Sequence, residues 1–122
     1  MSRKLATRMV WVVTIGLSLV ACGGAPPPHD ALTAAQSGVK GAEVAGATED
    51  PKAQLHLKLA SEQIAKAKQL MEDGDNEEAA LVVSRAQADA DLALAYAQAA
   101  KSLKQAKEAD EQLGKLKKQL KE

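Results

Sequence analysis

Residues 50–100 read DPKAQLHLKLASEQIAKAKQLMEDGDNEEAALVVSRAQADADLALAYAQAA, and this stretch decides the fold. Asp50-Pro51 is a helix start, because an aspartate can cap the first free N–H groups and proline fits the first helical position, where no N–H is needed. Leu57, Ala60, Ile64, Ala67 and Met71 then recur at spacings of three and four, one stripe along a helix that runs to Asp73. Gly74 suits the left-handed residue that ends a helix, Asp75 is placed to cap the next one, and Glu77 and Glu78 complement its N-terminal dipole. Beyond the turn, Ala79, Val83, Ala86, Ala90, Ala93, Ala97 and Ala100 make a second stripe of the same period. Two stripes facing each other across a tight turn predict an antiparallel helical hairpin with a seam of small residues.

Composition agrees with long helices. Of the 122 residues, 46% are hydrophobic, but 25 of them are alanine, the only aromatics are Trp11 and Tyr96, and phenylalanine is absent. The bulky side chains that fill doubly wound sheets, barrels and sandwiches are missing, so those classes are excluded. The expectation is an all-α domain over residues 31–122, a hairpin or small three-helix bundle, with helices at about 31–48, 51–73 and 76–121. The first of these is capped by Asp30 and weakened by Gly38, Gly41 and Gly46, each of which costs about 1 kcal/mol relative to alanine. Its Ala34, Gly38, Ala42 and Ala45 would form a smooth face for close packing. At 1.5 Å per residue the second helix spans about 34 Å and the third about 69 Å, so the third must project beyond its partner. On the projection a further stripe runs through Leu92, Tyr96, Ala99, Leu103, Ala106 and Leu113 to Leu116 and Leu120. Gly114 interrupts that stripe, which favours a short contact over a long coiled coil. Leu103, Leu113, Leu116 and Leu120 are the candidate partner-contact residues.

The N-terminal residues carry a different message. Arg3, Lys4 and Arg8 precede an apolar run of 13 residues, Met9 to Ala21, too short for a bilayer core that needs about 20. Residues 1–21 therefore read as an export signal. Leu19-Val20-Ala21-Cys22 fits a bacterial lipobox, with a small residue before the cysteine whose thiol accepts diacylglycerol. Cys22 is the only cysteine, so no thiol is left for disulfides. Two or three acyl chains, palmitate among them, would hold the chain stably, which one chain would not. Residues 22–30, the lipidated cysteine and Gly23-Gly24-Ala25-Pro26-Pro27-Pro28, form an extended tether.

Removal of Arg3, Lys4 and Arg8 from 16 basic residues leaves 13 against 16 acidic ones, a net of −3. Nucleic acid is therefore not an expected partner. Charge is also uneven along the chain. Glu72 to Asp91 holds seven acids and one arginine, whereas Lys101 to the end holds seven lysines and four acids. Such faces are ordinarily solvated, with anionic headgroups or cell-wall polymer as the alternative contact.

No constellation for catalysis, metal or cofactor emerges. Starting a calcium loop at Asp73 puts Glu78 where the invariant glycine belongs and Ser84 where the bidentate glutamate belongs. His29 falls in the linker and His56 early in the second helix, with no second histidine at ligand spacing, so both read as solvated. Asp89 and Asp91, two apart on a helix, diverge, and no serine has a glycine elbow or adjacent histidine. The expectation is a non-enzymatic protein.

Two resemblances follow from these residues. Gly74 to Ala79, Gly-Asp-x-Glu-x-Ala between alanine-striped helices, resembles a tetratricopeptide turn, although one unit is fewer than the roughly three such solenoids need. The lipobox, the tether and the pattern from Ala31 to Ala100, with Gly41-Ala42, Asp50-Pro51, the Gly74 turn and the alanine-striped third helix, resemble a domain-of-unknown-function family. Its members are short Ala-rich helical lipoproteins of Gram-negative bacteria, some associated with OmpA-like proteins. The resemblance implies an outer-membrane, periplasm-facing envelope protein with no assigned activity. The exposed stripe of the last helix adds the expectation of a lipid-anchored scaffold that binds a protein partner or itself through that helix. The alternative is a single tetratricopeptide-like peptide-binding module assisting envelope assembly. No OmpA-like domain lies within these residues, so direct peptidoglycan binding is not carried over from the family. Gly23 after the cysteine lacks the aspartate that retains lipoproteins at the inner membrane in enteric bacteria. Replacing the acceptor thiol, Cys22→Ser, should abolish incorporation of a labelled fatty acid in cells; lipid retained by that variant would show that acylation occurs elsewhere.

Overall fold

The computed structural model describes residues 24–121, and every regular element among them is helical. Residues 1–21, expected to be an export signal, together with Cys22 and Gly23 lie outside the described residues. Three helices follow one another, α1 (His29–Val44), α2 (Pro51–Asp73) and α3 (Asn76–Gln119). The protein is thus all-α, a three-helix bundle from which the second half of α3 projects.

Local chemistry explains most boundaries. Asp50 caps α2, its Oδ1 accepting from the N–H groups of Lys52 at 3.0 Å and Ala53 at 2.9 Å, with Pro51 in the first helical position. Gly74 ends α2 at φ +85°, while its N–H donates to the Met71 carbonyl and that of Asp75 to the Leu70 carbonyl. This is a Schellman turn, and only glycine adopts its left-handed residue without strain. Asp75 departs from expectation: its side chain makes no cap bond, and its carbonyl alone engages the helix, accepting from Ala79 N–H.

α1 differs from the expected 31–48 at both ends. It begins at His29, straight after the three prolines, because the Pro28 carbonyl accepts from Leu32 N–H and a proline there gives up no needed donor. His29 is therefore helical rather than part of the linker, and Asp30 is a first-turn acid rather than the cap. The helix stops at Val44 because Gly46, at φ +97°, closes a second Schellman turn through Ala47 N–H to the Ala42 carbonyl. Ala47 is buried there, the apolar contact that such turns commonly make. α3 ends at Gln119, two residues short of the expected 121, and passes through Gly114 without a break.

Leu32 and Ala35 pack with Ile64, Ala67, Val82, Val83 and Ala86, and Ala42 packs with Ala53, Leu57, Ala93 and Ala97. Half-buried Val39 touches both groups. α1 thus runs beside α3 in the same direction and antiparallel to α2. The stripes on α2 and α3 are buried at Leu57, Ala60, Ile64, Ala67 and at Ala79, Val83, Ala86, Ala90, Ala93, Ala97; Met71 and Ala100 close the two seams half-buried. On α1 the buried face is Leu32, Ala35 and Ala42, and Ala34, expected in that face, is exposed. Gly38 does belong to it: a Cβ at that position would stand 3.2 Å from the Ala90 Cβ.

Val83 is the bulkiest side chain that is wholly enclosed, so the helices touch through alanine along most of their length. Glutamate at Ala86 or Ala90 would bring volume and a charge into this contact and should cost about 3 kcal/mol. Gly41 is helical and exposed in the last turn of α1 with nothing within 4 Å of a Cβ placed there, so Gly41→Ala should raise stability by about 0.5–1 kcal/mol. Urea unfolding followed by circular dichroism checks both signs.

Candidate functional site

Two regions depart from a plain alanine-seamed bundle. The first is a polar clasp between α2 and α3. His56 Nδ1 lies 2.8 Å from Asp89 Oδ1, and Gln63 Nε2 donates to Asp89 Oδ2 at 2.7 Å. The His56 ring stacks on Tyr96 with centroids 5.6 Å apart and an interplanar angle of 13°, and Lys52 Nζ stands 5.7 Å from the centre of the Tyr96 ring. His56 is half-buried rather than solvated, a correction to the sequence reading, and its side chain and that of Asp89 are 23% and 18% exposed. Asp91 points to solvent, so the two aspartates do diverge.

The clasp arises from register. His56 and Gln63 are seven residues apart on α2, Asp89 and Tyr96 seven apart on α3, and the two pairs mirror each other across the Gly74 turn. This spacing was the available signal, but reading it requires the pairing register. Chemically the clasp orients an imidazole through a carboxylate, and no hydroxyl is bonded to that imidazole among the described residues. The neighbouring Ser61 hydroxyl donates to the Leu57 carbonyl instead. No group of three His, Cys, Asp or Glu side chains among the described residues could hold a metal ion.

The second region is the projection. Every residue from Lys101 to Lys121 is exposed. Leu103, Leu113, Leu116 and Leu120 are 65%, 53%, 55% and 87% accessible, so this helix carries its candidate contact residues in water. They do not form one straight stripe. At about 100° per residue, Leu113, Leu116 and Leu120 fall within about 60° of one another, and Leu103 sits about 80° to one side, in line with Tyr96 and Leu92. A seven-residue repeat on a 3.6-residue helix drifts by only about 20° per heptad, so the offset marks a change of face between Leu103 and Leu113 rather than a slow drift.

Where the bundle ends, two shallow notches flank α3. One is lined by Pro51, Lys52, Tyr96, Leu103 and Lys107, the other by Val44, Gly46, Ala97, Lys101 and Lys104. Val44, 91% exposed, stands at the rim of the second. Cys22, the lipidation candidate, lies outside the described residues, and no helix among the described residues is long and apolar enough to cross a membrane.

Comparison with known proteins adds one finding. A family model described as Domain of unknown function (DUF4398) matches residues 30–109, and the chain belongs to that family. The match begins in the first turn of α1 and runs through the bundle into the start of the projection. No curated protein matches the chain, and no solved structure does.

The clasp should matter to stability. Asp89→Ala leaves His56 and Gln63 without their shared acceptor and should cost about 1–2 kcal/mol, whereas Asp91→Ala should stay within about 0.5 kcal/mol of the parent. Denaturant midpoints of the two variants are the check, and equal midpoints would mean that the clasp is solvated in solution.

Proposed function

We propose that this protein is a lipid-anchored, non-enzymatic scaffold of the cell envelope, attached through Cys22 to the periplasmic side of the outer membrane. The projecting half of α3 is its contact surface for a protein partner. One observation carries this reading: α3 continues for about 30 Å past the bundle with four leucines in water. A helix that serves only to complete a bundle has no need of such a length.

Charge indicates the kind of partner. Lys101 to Lys121 contains seven lysines and three acids, a net of +4. Two copies laid side by side over this segment would repel, and an acidic partner helix or sheet edge would be attracted. Peptidoglycan and a second copy of the chain are the other contacts to be distinguished. The reading as a peptide-binding tetratricopeptide-like module has less support, because α1 lies on both α2 and α3 and fills the hairpin face that a peptide would occupy.

Deleting the chain from Leu103 onward should leave a folded bundle, since all the buried residues lie before that point. In-cell crosslinking should then lose the partners captured by the full chain. Recovery of the same partners by the truncated protein would place the contact on the bundle and overturn the scaffold reading. Crosslinked dimers of the full chain would identify the partner as a second copy.

A further inference from the structure

The chain's entry into the bundle is fixed at one end. Asn76, the first residue of α3, donates from Nδ2 to the Ala25 carbonyl at 2.8 Å, which joins the tether to the α2–α3 turn. Leu32, in the first turn of α1, is buried among Ile64, Val82 and Val83 at that same end. Two independent contacts therefore hold the start of α1 beside the Gly74 turn. Ala25, within the tether expected over 22–30, is thus held to the bundle. Ala25 and Cys22 are three residues apart, and three extended residues reach at most about 11 Å.

Helix polarity does the rest. α3 starts at this end and runs away from it for 44 residues, about 66 Å. Resting on the proposed acylation of Cys22, the geometry points to a fixed polarity of the molecule on the membrane. The α2–α3 turn faces the bilayer at about 1 nm, the α1–α2 loop lies on the far side of the bundle, and α3 points outward. Its leucines, from Leu103 to Leu120, then stand about 50–75 Å from the headgroups. The contact surface thus meets only a partner that reaches that depth, and a protein lying flat on the lipid would not touch it.

Charge along the rod is graded and does not itself set the posture. Glu72, Asp73, Asp75, Glu77 and Glu78 cluster at the α2–α3 turn, which an anionic bilayer repels, so the polarity rests on the short tether and the Asn76–Ala25 contact. The lysine-rich segment begins at Lys101, about 38 Å from the start of α3, several times the screening length of about 8 Å at physiological salt. Upright, it is not drawn back to the lipid.

The test uses residues 22–122, coupled through the Cys22 thiol to a maleimide lipid in vesicles of phosphatidylethanolamine and phosphatidylglycerol. A donor dye is placed by an unnatural amino acid at exposed Glu77 or at exposed Lys118, and transfer to an acceptor lipid is measured. Transfer from position 77 should exceed that from position 118 severalfold. Equal transfer would mean that the rod lies along the bilayer, and stronger transfer from 118 would mean inverted polarity; either result overturns the inference. Because the lipid is attached chemically, the outcome does not depend on acylation in cells. A Cys22→Ser result that removed the proposed function would leave this geometry standing, and the reverse failure would leave the lipid anchor standing.

Discussion

The alanine seam between α2 and α3 is the contact on which the rest of the structure depends. Ala60, Ala67, Ala86, Ala90 and Ala93 let helix backbones approach closely, and close approach replaces side-chain bulk as the source of packing. Each alanine buries little area and loses no rotamer entropy on folding, so a thin core can still be favourable. The same economy makes the seam intolerant of volume. Gly38 opposite Ala90 extends this rule to α1, where even a methyl group would be tight against its neighbour.

From the seam follows the division of labour within α3. Its first half is an element of the bundle, with seven buried residues between Ala79 and Ala97. Its second half is in the same helix but has no interior face at all. The change occurs at Ala97 to Lys101, where α1 has already ended at Val44 and α2 has not yet begun before Pro51. The glycine end of α1 and the proline start of α2 thus set where the third helix becomes exposed. Gly46 is as much responsible for the projection as any residue within it, because it stops α1 before that helix could cover more of α3.

Sequence and structure agree most closely where the controlling interaction is local. Asp50-Pro51 and Gly74 each fix a boundary through atoms within four residues, and both boundaries were legible. The striped faces were legible too, since period alone identifies which residues share a side. The start of α1 is not legible, because three prolines read as a spacer, while the Pro28 carbonyl is a good acceptor for the first helical turn. The exposure of Ala34 is not legible either, because glycine and alanine leave the phase of a weak stripe poorly defined; Leu32 sets the true phase. The His56, Gln63, Asp89 and Tyr96 clasp was not legible, for it exists only once the register across the turn is known. Of the candidate contact residues, the exposure of Leu103, Leu113, Leu116 and Leu120 was readable from helix lengths, because a 23-residue partner cannot cover 44 residues. What meets them was not, since a partner's chemistry is written in the partner.

The continuity of α3 across the bundle's edge has a consequence for helix–coil equilibrium. An isolated helix of about twenty residues in water is marginal, chiefly because its first turn must be nucleated at a penalty of roughly a thousandfold. Here that turn already exists, held in place by the seam, so the outer half needs only propagation. Order should therefore decline by degrees from Lys101 towards Leu120, with amide exchange quickening turn by turn and a further weak point at Gly114, where glycine lowers propagation. A partner that grips the tip would stiffen the last turns and draw on an already helical stem for the rest. Its binding entropy would then be dominated by the few residues beyond Gly114.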